Sequence, residues 1–324
     1  MQIDKNLTTA LVIPVLNAEA YIPELFTAIF QQSYLPQHIL VLDSESTDKT
    51  RERLSDYPVQ VHTIQRKDFD HGGTRRLATE MVAADIYIFM TQDAIPANPD
   101  TFRYLVSALT AEEKAGCAYG RQLPKKDANI LGAYDRLFNY PDKSQLRFYA
   151  DKDQYGIKTC FLSNSFAAYK KQALREAGGF PVKLISSEDT YVAAKMLLKG
   201  YGVYYVAEST VYHSHNMSLL EKFHRYFSIG VFHGKENWLI KAFSGATSEG
   251  FRYWFKQLKY LIDTNSLNWL PYAVASTGVS YFAYQLGLRE RFLPLAVKRK
   301  WGVNKKYWLQ VNEYVKPMTS DTAR

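Results

Sequence analysis

Between Leu7 and about Ser218, short apolar runs alternate with stretches whose apolar residues recur every three or four positions. Apolar runs of this length predict buried strands, and the three-to-four spacing predicts helices that cover a sheet. Strands that alternate with helices form βαβ units, in which successive strands run parallel. We therefore predict an α/β fold with a mostly parallel sheet flanked by helices.

The elements are clearest in the first hundred residues, where strands are predicted at Thr9–Pro14, His38–Leu42, Val59–Gln65 and Ile86–Met90. Helices are predicted at about 21–32 and 75–83, with a loop at 67–74. Beyond residue 111 the pattern weakens to possible strands at Cys117–Gly120, Asn164–Tyr169 and Val203–Val206, and a helix at about 190–199 after an acidic turn. The last third is predicted to be helical.

Ligands of such sheets bind at the carboxyl ends of the strands. Asp43, the loop 68–75 and Asp93 all fall at predicted strand ends. Neither GxGxxG nor GxxxxGK[ST] follows the first strand, where VIPVLNAEA stands, and this counts against a dehydrogenase or a P-loop NTPase. A nucleotide diphosphate would then need another counter-charge, which a carboxylate-held divalent metal could supply with the help of basic side chains.

Three groups of residues are candidates for this chemistry. Asp93 follows the best buried strand and is a candidate metal ligand or a turn cap. His213 and His215 flank Ser214, so on an extended chain both rings face one side and could complete a metal site, touch phosphate or lie in the core. Glu188 and Asp189 open a helix, where they could form a general base with its orienting neighbour or simply cap the helix.

The two cysteines, Cys117 and Cys160, have no metal-type spacing and cannot form a disulfide framework, which indicates free thiols in a reducing compartment. The N-terminus MQIDKNLTTALVIPVLN lacks the basic segment and long apolar stretch of a secretory signal. We therefore expect the protein to stay on the cytoplasmic side.

Positive charge is concentrated in the last third of the chain. Residues 219–324 contain 16 Lys and Arg and 7 Asp and Glu, a net charge of +9, which leaves residues 1–218 at −1. The excess indicates an anionic partner, either nucleic acid, an acidic membrane surface or a phosphate-bearing substrate, or else a solvated basic face. The 25 uncharged residues 264–288 contain many polar side chains and are interpreted as a buried or in-plane helix.

The segments VIPVLNAEAYI, ILVLDSESTDKT, TQDA and SEDTYVA, in this order, resemble the family 2 inverting glycosyltransferases of the GT-A fold. The stretches FDHGGTRR, FMTQDAIP and NSFAAYKKQAL are most similar to those of bacterial rhamnosyltransferases that use dTDP-L-rhamnose. The resemblance covers about residues 7–220. It implies a GT-A nucleotide-sugar-binding domain at 1–218, followed by a basic, aromatic-rich helical region at 219–324 for the membrane surface or the acceptor.

The resemblance also implies roles for individual residues. Asp189 would be the catalytic base, with Glu188 as its acidic neighbour. Asp93 matches the last aspartate of the DxD metal motif and would bind Mg²⁺ or Mn²⁺, with His213 compensating for Thr91 at the first aspartate position. Asp43 would accept a hydrogen bond from the pyrimidine imide. The full nucleotide-sugar set would be Pro14, Asn17, Glu19, Asp43, Asp70, His71, Arg75 and Gln92.

The implied reaction is a single displacement in which Asp189 takes the proton of an acceptor hydroxyl as that hydroxyl attacks the anomeric carbon of dTDP-L-rhamnose. Arg75 would help stabilise the departing diphosphate. Acceptors of such enzymes are commonly lipid-diphosphate-linked glycans of O-antigen or capsule type. We therefore expect a peripheral protein that binds the anionic inner face of the plasma membrane from the cytoplasm. Arg225 lies where processive relatives carry an arginine motif, but its flanking residues do not match.

Other functions are open on the sequence alone. A UDP-sugar could replace dTDP-L-rhamnose within the same family. A catalytically dead scaffold is disfavoured by the presence of Asp43, Asp93 and Asp189 together. A nucleic-acid-binding protein would fit the sequence pI of about 9.1, but the net charge of −1 before residue 219 and the lack of a nucleic-acid motif argue against it, so we expect no nucleic-acid partner.

Overall fold

The computed structural model describes residues 3–4, 6–243 and 247–313. The strands are β1 (Thr9–Val15), β2 (His38–Asp43), β3 (Gln60–Thr63), β4 (Ile86–Met90), β5 (Ile95–Pro96), β6 (Ala115–Leu123), β7 (Gln145–Arg147), β8 (Phe166–Lys170) and β9 (Gly202–Tyr212). The first α-helices are α1 (Ile22–Phe30), α2 (Thr50–Leu54), α3 (His71–Met81), α4 (Thr101–Ala111), α5 (Ile130–Asn139), α6 (Lys152–Tyr155), α7 (Lys171–Glu176) and α8 (Glu188–Leu198). The remaining helices are α9 (Leu219–Lys235), α10 (Asn237–Phe243), α11 (Thr247–Asp263), α12 (Leu270–Leu288), α13 (Leu295–Trp301) and α14 (Lys305–Glu313).

The strands form one mixed sheet in the order β3-β2-β1-β4-β8-β6-β9-β5, with β7 paired to β9. The α/β class is confirmed, and the sheet is parallel from β1 to β4. It is not mostly parallel beyond that point, because β8 inserts antiparallel between β4 and β6. Since β6 and β9 pair parallel, the carboxyl ends of β1, β2, β4, β6 and β9 still lie at one edge, together with the amino end of β8.

The core occupies both faces of this sheet. All five residues of β4 are buried, and its alternate side chains point to opposite faces. On one face, Ile88 packs in a cluster that includes Phe26 of α1 and Phe102 of α4. On the other face, the ring of Phe89 lies 5.8 Å from Tyr169 and 5.0 Å from Phe180. Each such fully buried side chain contributes about 1.5–3 kcal/mol to stability, which anchors the strand ends that carry the polar residues.

Helix α3 begins at His71, so the predicted loop through residue 74 is wrong. The Oδ1 of Asp70 accepts a hydrogen bond from the Gly73 amide at 2.6 Å and caps the helix. Gly72 lies so near the Pro181 carbonyl oxygen that a Cβ would come within 1.8 Å of it. A residue without a side chain at position 72 is therefore needed for the close packing of this helix start.

The contacts divide the chain into two compact units. The first comprises the described residues up to 182, 188–216 and 238–270, and it contains the sheet and α11. The second comprises the described residues of 183–187, 217–237 and 271–313. Within the second unit, Gly287 of α12 lies against α9, and a Cβ on it would be 2.2 Å from the carbonyl oxygen of Phe227. The predicted domain boundary between 218 and 219 stays a prediction.

The uncharged stretch 264–288 contains helix α12, as expected. Tyr281 and Phe282 are exposed, whereas the side of the helix that is buried consists of small residues, namely Ala273, Ser276, Ala283 and Gly287. None of the helices in the described ranges is both long enough and apolar enough to cross a membrane.

Candidate active site

The polar residues singled out from the sequence gather at the edge of the sheet where the parallel strands end and β8 begins. Asp43 ends β2, Gln92 and Asp93 follow β4, and His213 follows β9. Asn164 precedes β8, whose antiparallel direction brings its amino end to the same edge. Two clusters of titratable side chains form there, one around Asp93 and one around Glu188 and Asp189.

The first cluster consists of Asp93, His213 and His215. The Nε2 atoms of both histidines lie 3.4 Å from Asp93 Oδ2 and 3.2 Å from each other. These atoms all lie within 4.8 Å of one another, as the ligands of a single metal ion would. The expectation that both rings turn to one side holds, and His215 joins the cluster although the resemblance pointed only to His213.

A neighbouring amide determines which nitrogen of His213 carries its proton. Arg136 Nη1 donates to Gln122 Oε1 at 2.5 Å, and because a guanidinium only donates, this amide atom must be the oxygen. The same oxygen lies 2.9 Å from His213 Nδ1, so Nδ1 carries the hydrogen. Burial lowers the pKa of His213, which keeps the ring neutral at pH 7. Its Nε2 therefore presents a lone pair to Asp93 and His215.

This arrangement places two acceptors, Asp93 Oδ2 and His213 Nε2, against each other. A single proton on His215 can satisfy only one of the two acceptors. A divalent cation would satisfy all three groups, and a histidine whose other nitrogen is bonded to an amide oxygen has the outer contact typical of metal ligands. The residues present therefore fit a metal ion.

The second cluster is centred on Glu188 at the start of α8. Its Oε1 accepts from Arg75 Nη1 at 2.8 Å and from Asn164 Nδ2 at 3.1 Å, and the Arg75–Glu188 pair is buried. Arg75 Nη1 also donates to the His71 carbonyl oxygen at 2.9 Å. Burial alone would raise the pKa of Glu188, but Arg75 and its polar neighbours hold it below its usual range. Glu188 is thus an ionised carboxylate with a cation of its own.

Asp189 is the next residue, and its surroundings are different. Its carboxylate accepts from the Thr190 amide at 2.7 Å and from the Asn164 amide at 3.2 Å, both of which are uncharged donors. Burial and the adjacent charge of Glu188 raise the pKa of Asp189 to about 6. Two neighbouring carboxylates with separated pKa values are typical of acid–base sites.

Asn164 bonds both carboxylates and was not singled out from the sequence, although the stretch NSFAAY that begins with it was noted. Its amide orientation is determined by Tyr169, whose hydroxyl donates to Asn164 Oδ1 at 2.7 Å in the buried interior. Nδ2 must then face Glu188, while its backbone amide faces Asp189. Asn164 therefore acts as a rigid spacer between β8 and the acid pair.

The segment 163–165 also connects the two clusters. Gln122 Nε2, whose oxygen orients His213, donates to Ser163 Oγ at 3.0 Å. The Thr91 amide, two residues before Asp93, donates to the Ser165 carbonyl oxygen at 3.2 Å. Ser163 thus contacts the amide that orients His213, Asn164 contacts the acid pair, and Ser165 contacts the strand end that carries Asp93. Neither Gln122 nor Ser163 stood out in the sequence, because each contact joins residues distant along the chain.

The residues predicted after β1 and β2 hold two loops together. Pro14 lies within β1, opposite Leu42 of β2. Asn17 Oδ1 accepts from the Thr47 amide at 2.9 Å, and Glu19 Oε2 accepts from the Lys49 amide at 3.2 Å. Gln92 accepts at 2.8 Å from the amide of the residue before Asn17, which ties the same loop to the end of β4.

Asp43 and Asp70 also have partners within the protein. Asp43 is fully buried and accepts from Arg51 Nε at 2.6 Å and from the Ser46 amide at 3.1 Å. Asp70 caps α3, whose first turn contains His71 and leads to Arg75. The roles of these residues toward a nucleotide stay predictions.

The comparisons with known proteins agree with this geometry. The model of the family described as glycosyl transferase family 2 matches residues 10–178. Over 300 residues, the sequence is 43% identical to the O-antigen chain rhamnosyltransferase RfbN of Salmonella typhimurium. Over the same length it is 38% identical to WbaN of Salmonella anatum, which has the same description. Each alignment covers 92% of this chain and 95% of the relative. Among solved structures, the mannosyltransferase PcManGT from Pyrobaculum calidifontis, in complex with GDP-Man and Mn²⁺, is 18% identical with a TM-score of 0.55, covering 95% of this chain and 79% of that one. This last likeness shows the fold alone.

Proposed function

The chain belongs to glycosyl transferase family 2, and from this premise we propose that it is a rhamnosyltransferase of O-antigen-type polysaccharide biosynthesis. The proposed reaction moves L-rhamnose from dTDP-L-rhamnose to a sugar hydroxyl of a lipid-diphosphate-linked glycan, with inversion at the anomeric carbon. Two relatives described as O-antigen chain rhamnosyltransferases support it, each aligned over 92% of this chain. The predictions of the family and of a glycosyltransferase are confirmed by these matches.

The observation that carries the mechanism is the asymmetry of the acid pair. In a single displacement, the acceptor oxygen forms a bond to the anomeric carbon, the bond from that carbon to the diphosphate breaks, and the hydroxyl proton passes to a base. With a pKa of about 6, Asp189 is ionised at pH 7 and still basic enough to take that proton. We assign it as the base, as the resemblance implied.

Glu188 has a different task because Arg75 and Asn164 occupy its carboxylate. An oxygen that already accepts two hydrogen bonds and has a lowered pKa is a poor proton acceptor. Glu188 instead fixes the start of α8, where Asp189 follows it, and its negative charge raises the pKa of Asp189. Arg75 is buried with it, so we assign Arg75 as a positioning residue for Glu188 in place of the predicted contact with the diphosphate.

The proposed cofactor is a divalent metal, Mg²⁺ or Mn²⁺, which Asp93, His213 and His215 would hold. Two imidazole nitrogens favour Mn²⁺, because Mg²⁺ takes mainly oxygen ligands. When bound, the metal would supply positive charge to the departing diphosphate. The chain's own contribution is to keep His213 neutral and turned toward the cation, through Gln122 and Arg136.

The donor nucleotide is proposed to bind beside the loops after β1 and β2, with Asp43 and Gln92 at the strand ends. Asp43 would accept the imide hydrogen of thymine, in addition to the bonds from Arg51 and Ser46. Hydrogen bonds between the two loops make this surface rigid before a ligand arrives. Preorganisation of this kind reduces the entropy lost on binding.

The proposed acceptor is anchored in a membrane, and we place the protein at the inner face of the plasma membrane on the cytoplasmic side. The net charge of +9 in residues 219–324 supports this placement. Such a surface is attracted to anionic phospholipids and to the diphosphate of the lipid carrier.

The proposal is tested by release of dTDP from dTDP-L-rhamnose with Mn²⁺ and a synthetic lipid-diphosphate glycan. We expect turnover by the wild type and a loss of about 10³-fold in Asp189→Asn, because a positioned base contributes about 10²–10⁴-fold. The matched control is Asp56→Asn, an exposed carboxylate far along the chain from both clusters, which should retain full activity. Turnover with UDP-sugars alone would overturn the donor, and equal activity of Asp189→Asn and Asp56→Asn would overturn the base.

A further inference from the structure

Helix α11 has three distinct sides. One side is fixed to the first compact unit through aromatic contacts: the ring of Tyr253 lies 5.1 Å from that of Tyr134 on α5, and Tyr260 lies 5.2 Å from Tyr134. The Tyr134 hydroxyl donates to the Tyr253 carbonyl oxygen at 2.8 Å, and Gln257 is buried beside them. This side anchors the helix and determines which residues face outward.

A second side is apolar and exposed. Phe251, Phe255 and Ile262 are 70%, 66% and 56% exposed, which is unusual for side chains of this size. Spacings of four and seven residues return to nearly the same side of an α-helix, so the three side chains form a single stripe about 16 Å long. We call it the α11 stripe.

The third side is cationic and borders the stripe. Arg252, Lys256 and Lys259 are exposed and are spaced by four and three residues, and the first two directly follow Phe251 and Phe255. The sequence of α11 also contains two acidic residues, Glu249 and Asp263, and Asp263 Oδ2 lies 2.9 Å from Lys259 Nζ. An apolar line beside a line of Lys and Arg is the pattern of helices that lie in the interface of a bilayer.

We propose that the α11 stripe docks onto an anionic phospholipid bilayer, with Phe251, Phe255 and Ile262 inserted among the acyl chains and the three cations on the headgroups. The inference rests on the proposed function in one respect, namely that the proposed acceptor is anchored in a membrane by a lipid. A protein partner is disfavoured, because the centres of protein interfaces are depleted in charged residues, whereas here the charge lies directly along the apolar line.

The basic run 298–300 is the more obvious lipid-binding candidate in the sequence. In the structure, however, Lys298 Nζ lies 2.5 Å from Glu290 Oε2 and its side chain is only 17% exposed. Within the described helix α13, which carries that run, no large apolar side chain is exposed, and the exposed Phe292 and Val303 lie outside the helix. The inference therefore assigns docking to α11, which belongs to the same compact unit as the candidate active site.

The test is co-sedimentation of the full chain with vesicles of phosphatidylcholine, with or without about one third phosphatidylglycerol. We expect the wild type to bind the anionic vesicles. F251S/F255S should weaken partitioning by about tenfold or more, because two exposed rings lose their insertion. R252Q/K256Q/K259Q should weaken it by about 100-fold on anionic vesicles and little on neutral ones.

Matched controls come from the same compact unit. L35S/V61S removes two apolar side chains that are 40% and 41% exposed, and R53Q/K114Q/K199Q removes three exposed cations elsewhere. Both should bind vesicles like the wild type. All variants are compared for dTDP release with a water-soluble glycan acceptor, which should be unchanged because the substituted side chains are exposed and belong to neither cluster of the candidate active site.

Each outcome decides one question. Vesicle binding that survives both α11 variants, or that is absent in the wild type, overturns the docking surface. If vesicle binding is unaffected but F251S/F255S abolishes self-association in analytical ultracentrifugation, the stripe is a protein interface and the inference is wrong. If vesicles bind as expected but no dTDP is released from dTDP-L-rhamnose, the docking inference stands and the proposed function fails.

Discussion

The two clusters at the edge of the sheet stabilise buried negative charge in opposite ways. Around Glu188 the chain supplies its own cation, since Arg75 donates to the carboxylate at 2.8 Å in a buried pair. Around Asp93 it supplies two imidazoles, and the contact with Gln122 turns the lone pair of His213 toward the carboxylate. In the first cluster Arg75 balances the charge of Glu188, whereas in the second cluster an added cation would be needed to balance the charge of Asp93.

The two arrangements suit different tasks. A carboxylate with a permanent partner cannot change its ligands during a reaction, so Glu188 serves as a fixed charge that tunes Asp189. An aspartate next to two imidazole nitrogens is suited to binding a divalent metal ion. The two carboxylates of the acid pair are adjacent in sequence, and only their partners distinguish them.

The largest effect is expected when Arg75, the cation that the chain supplies to Glu188, is removed. Arg75→Met leaves Glu188 buried without a charged partner, which should lower the free energy of unfolding by about 3–5 kcal/mol. The double variant R75M/E188Q should recover most of this loss, because the charge that loses its partner in Arg75→Met is then removed as well. Urea denaturation measures both.

Arg76→Met is the control for this experiment. Arg76 is adjacent in the same helix, but it is about half exposed and its pair with Glu80 at 3.3 Å is a surface pair. Its loss should change the free energy of unfolding by less than about 0.5 kcal/mol. Equal effects at positions 75 and 76 would show that the Arg75–Glu188 pair is not the internal cation site that the structure indicates.

The second prediction concerns the cluster that lacks a cation. Gln122→Leu removes the acceptor of His213 Nδ1, so the ring is no longer held in one tautomer. Affinity for Mn²⁺, measured by isothermal titration calorimetry, should fall by about 10–100-fold, as for other outer-shell contacts of metal ligands. Gln172→Leu, an exposed amide on α7, should bind Mn²⁺ like the wild type. Unchanged affinity in Gln122→Leu would mean that this amide does not orient the ligand.

Much of this arrangement follows from local sequence, and the rest from tertiary contacts. Strand β4 was predicted to the residue, because five consecutive apolar side chains bounded by polar ones can only be a buried strand here. The same pattern located Asp93 at its end. The sequence also predicts that His213 and His215 lie on the same side, because side chains two residues apart on an extended chain point the same way.

The supporting residues could not be predicted in this way. Gln122 reaches His213 across 91 residues of chain, and Asn164 reaches Glu188 across 24. The start of α3 was missed because Gly72 and Gly73 lower helix propensity, whereas the close approach to Pro181 requires a residue without a side chain. The antiparallel insertion of β8, which brings Asn164 to the site, has no signature in the βαβ pattern that precedes it.

The smallest effect is expected in the pH dependence of kcat/KM, which distinguishes Asp189 from Glu188. With the pKa of Asp189 near 6, kcat/KM should fall below about pH 6 as the base becomes protonated, and at about pH 5 only one-tenth of it is ionised. R75M/E188Q removes both charges beside Asp189, of which Glu188 is the stronger influence. The pKa of Asp189 should therefore fall, and the acid limb of the profile should move to lower pH. The relative rate at about pH 5 then rises by less than about tenfold.

The control for this profile is R76M/E80Q, which removes an exposed pair from the same helix and should leave the acid limb where it is in the wild type. A shift of the limb in both double variants would point to a general effect of net charge. A limb that moves to higher pH in R75M/E188Q would mean that Arg75 outweighs Glu188 at Asp189. In that case Glu188 would only orient its neighbour, and the raised pKa of Asp189 would come from burial alone.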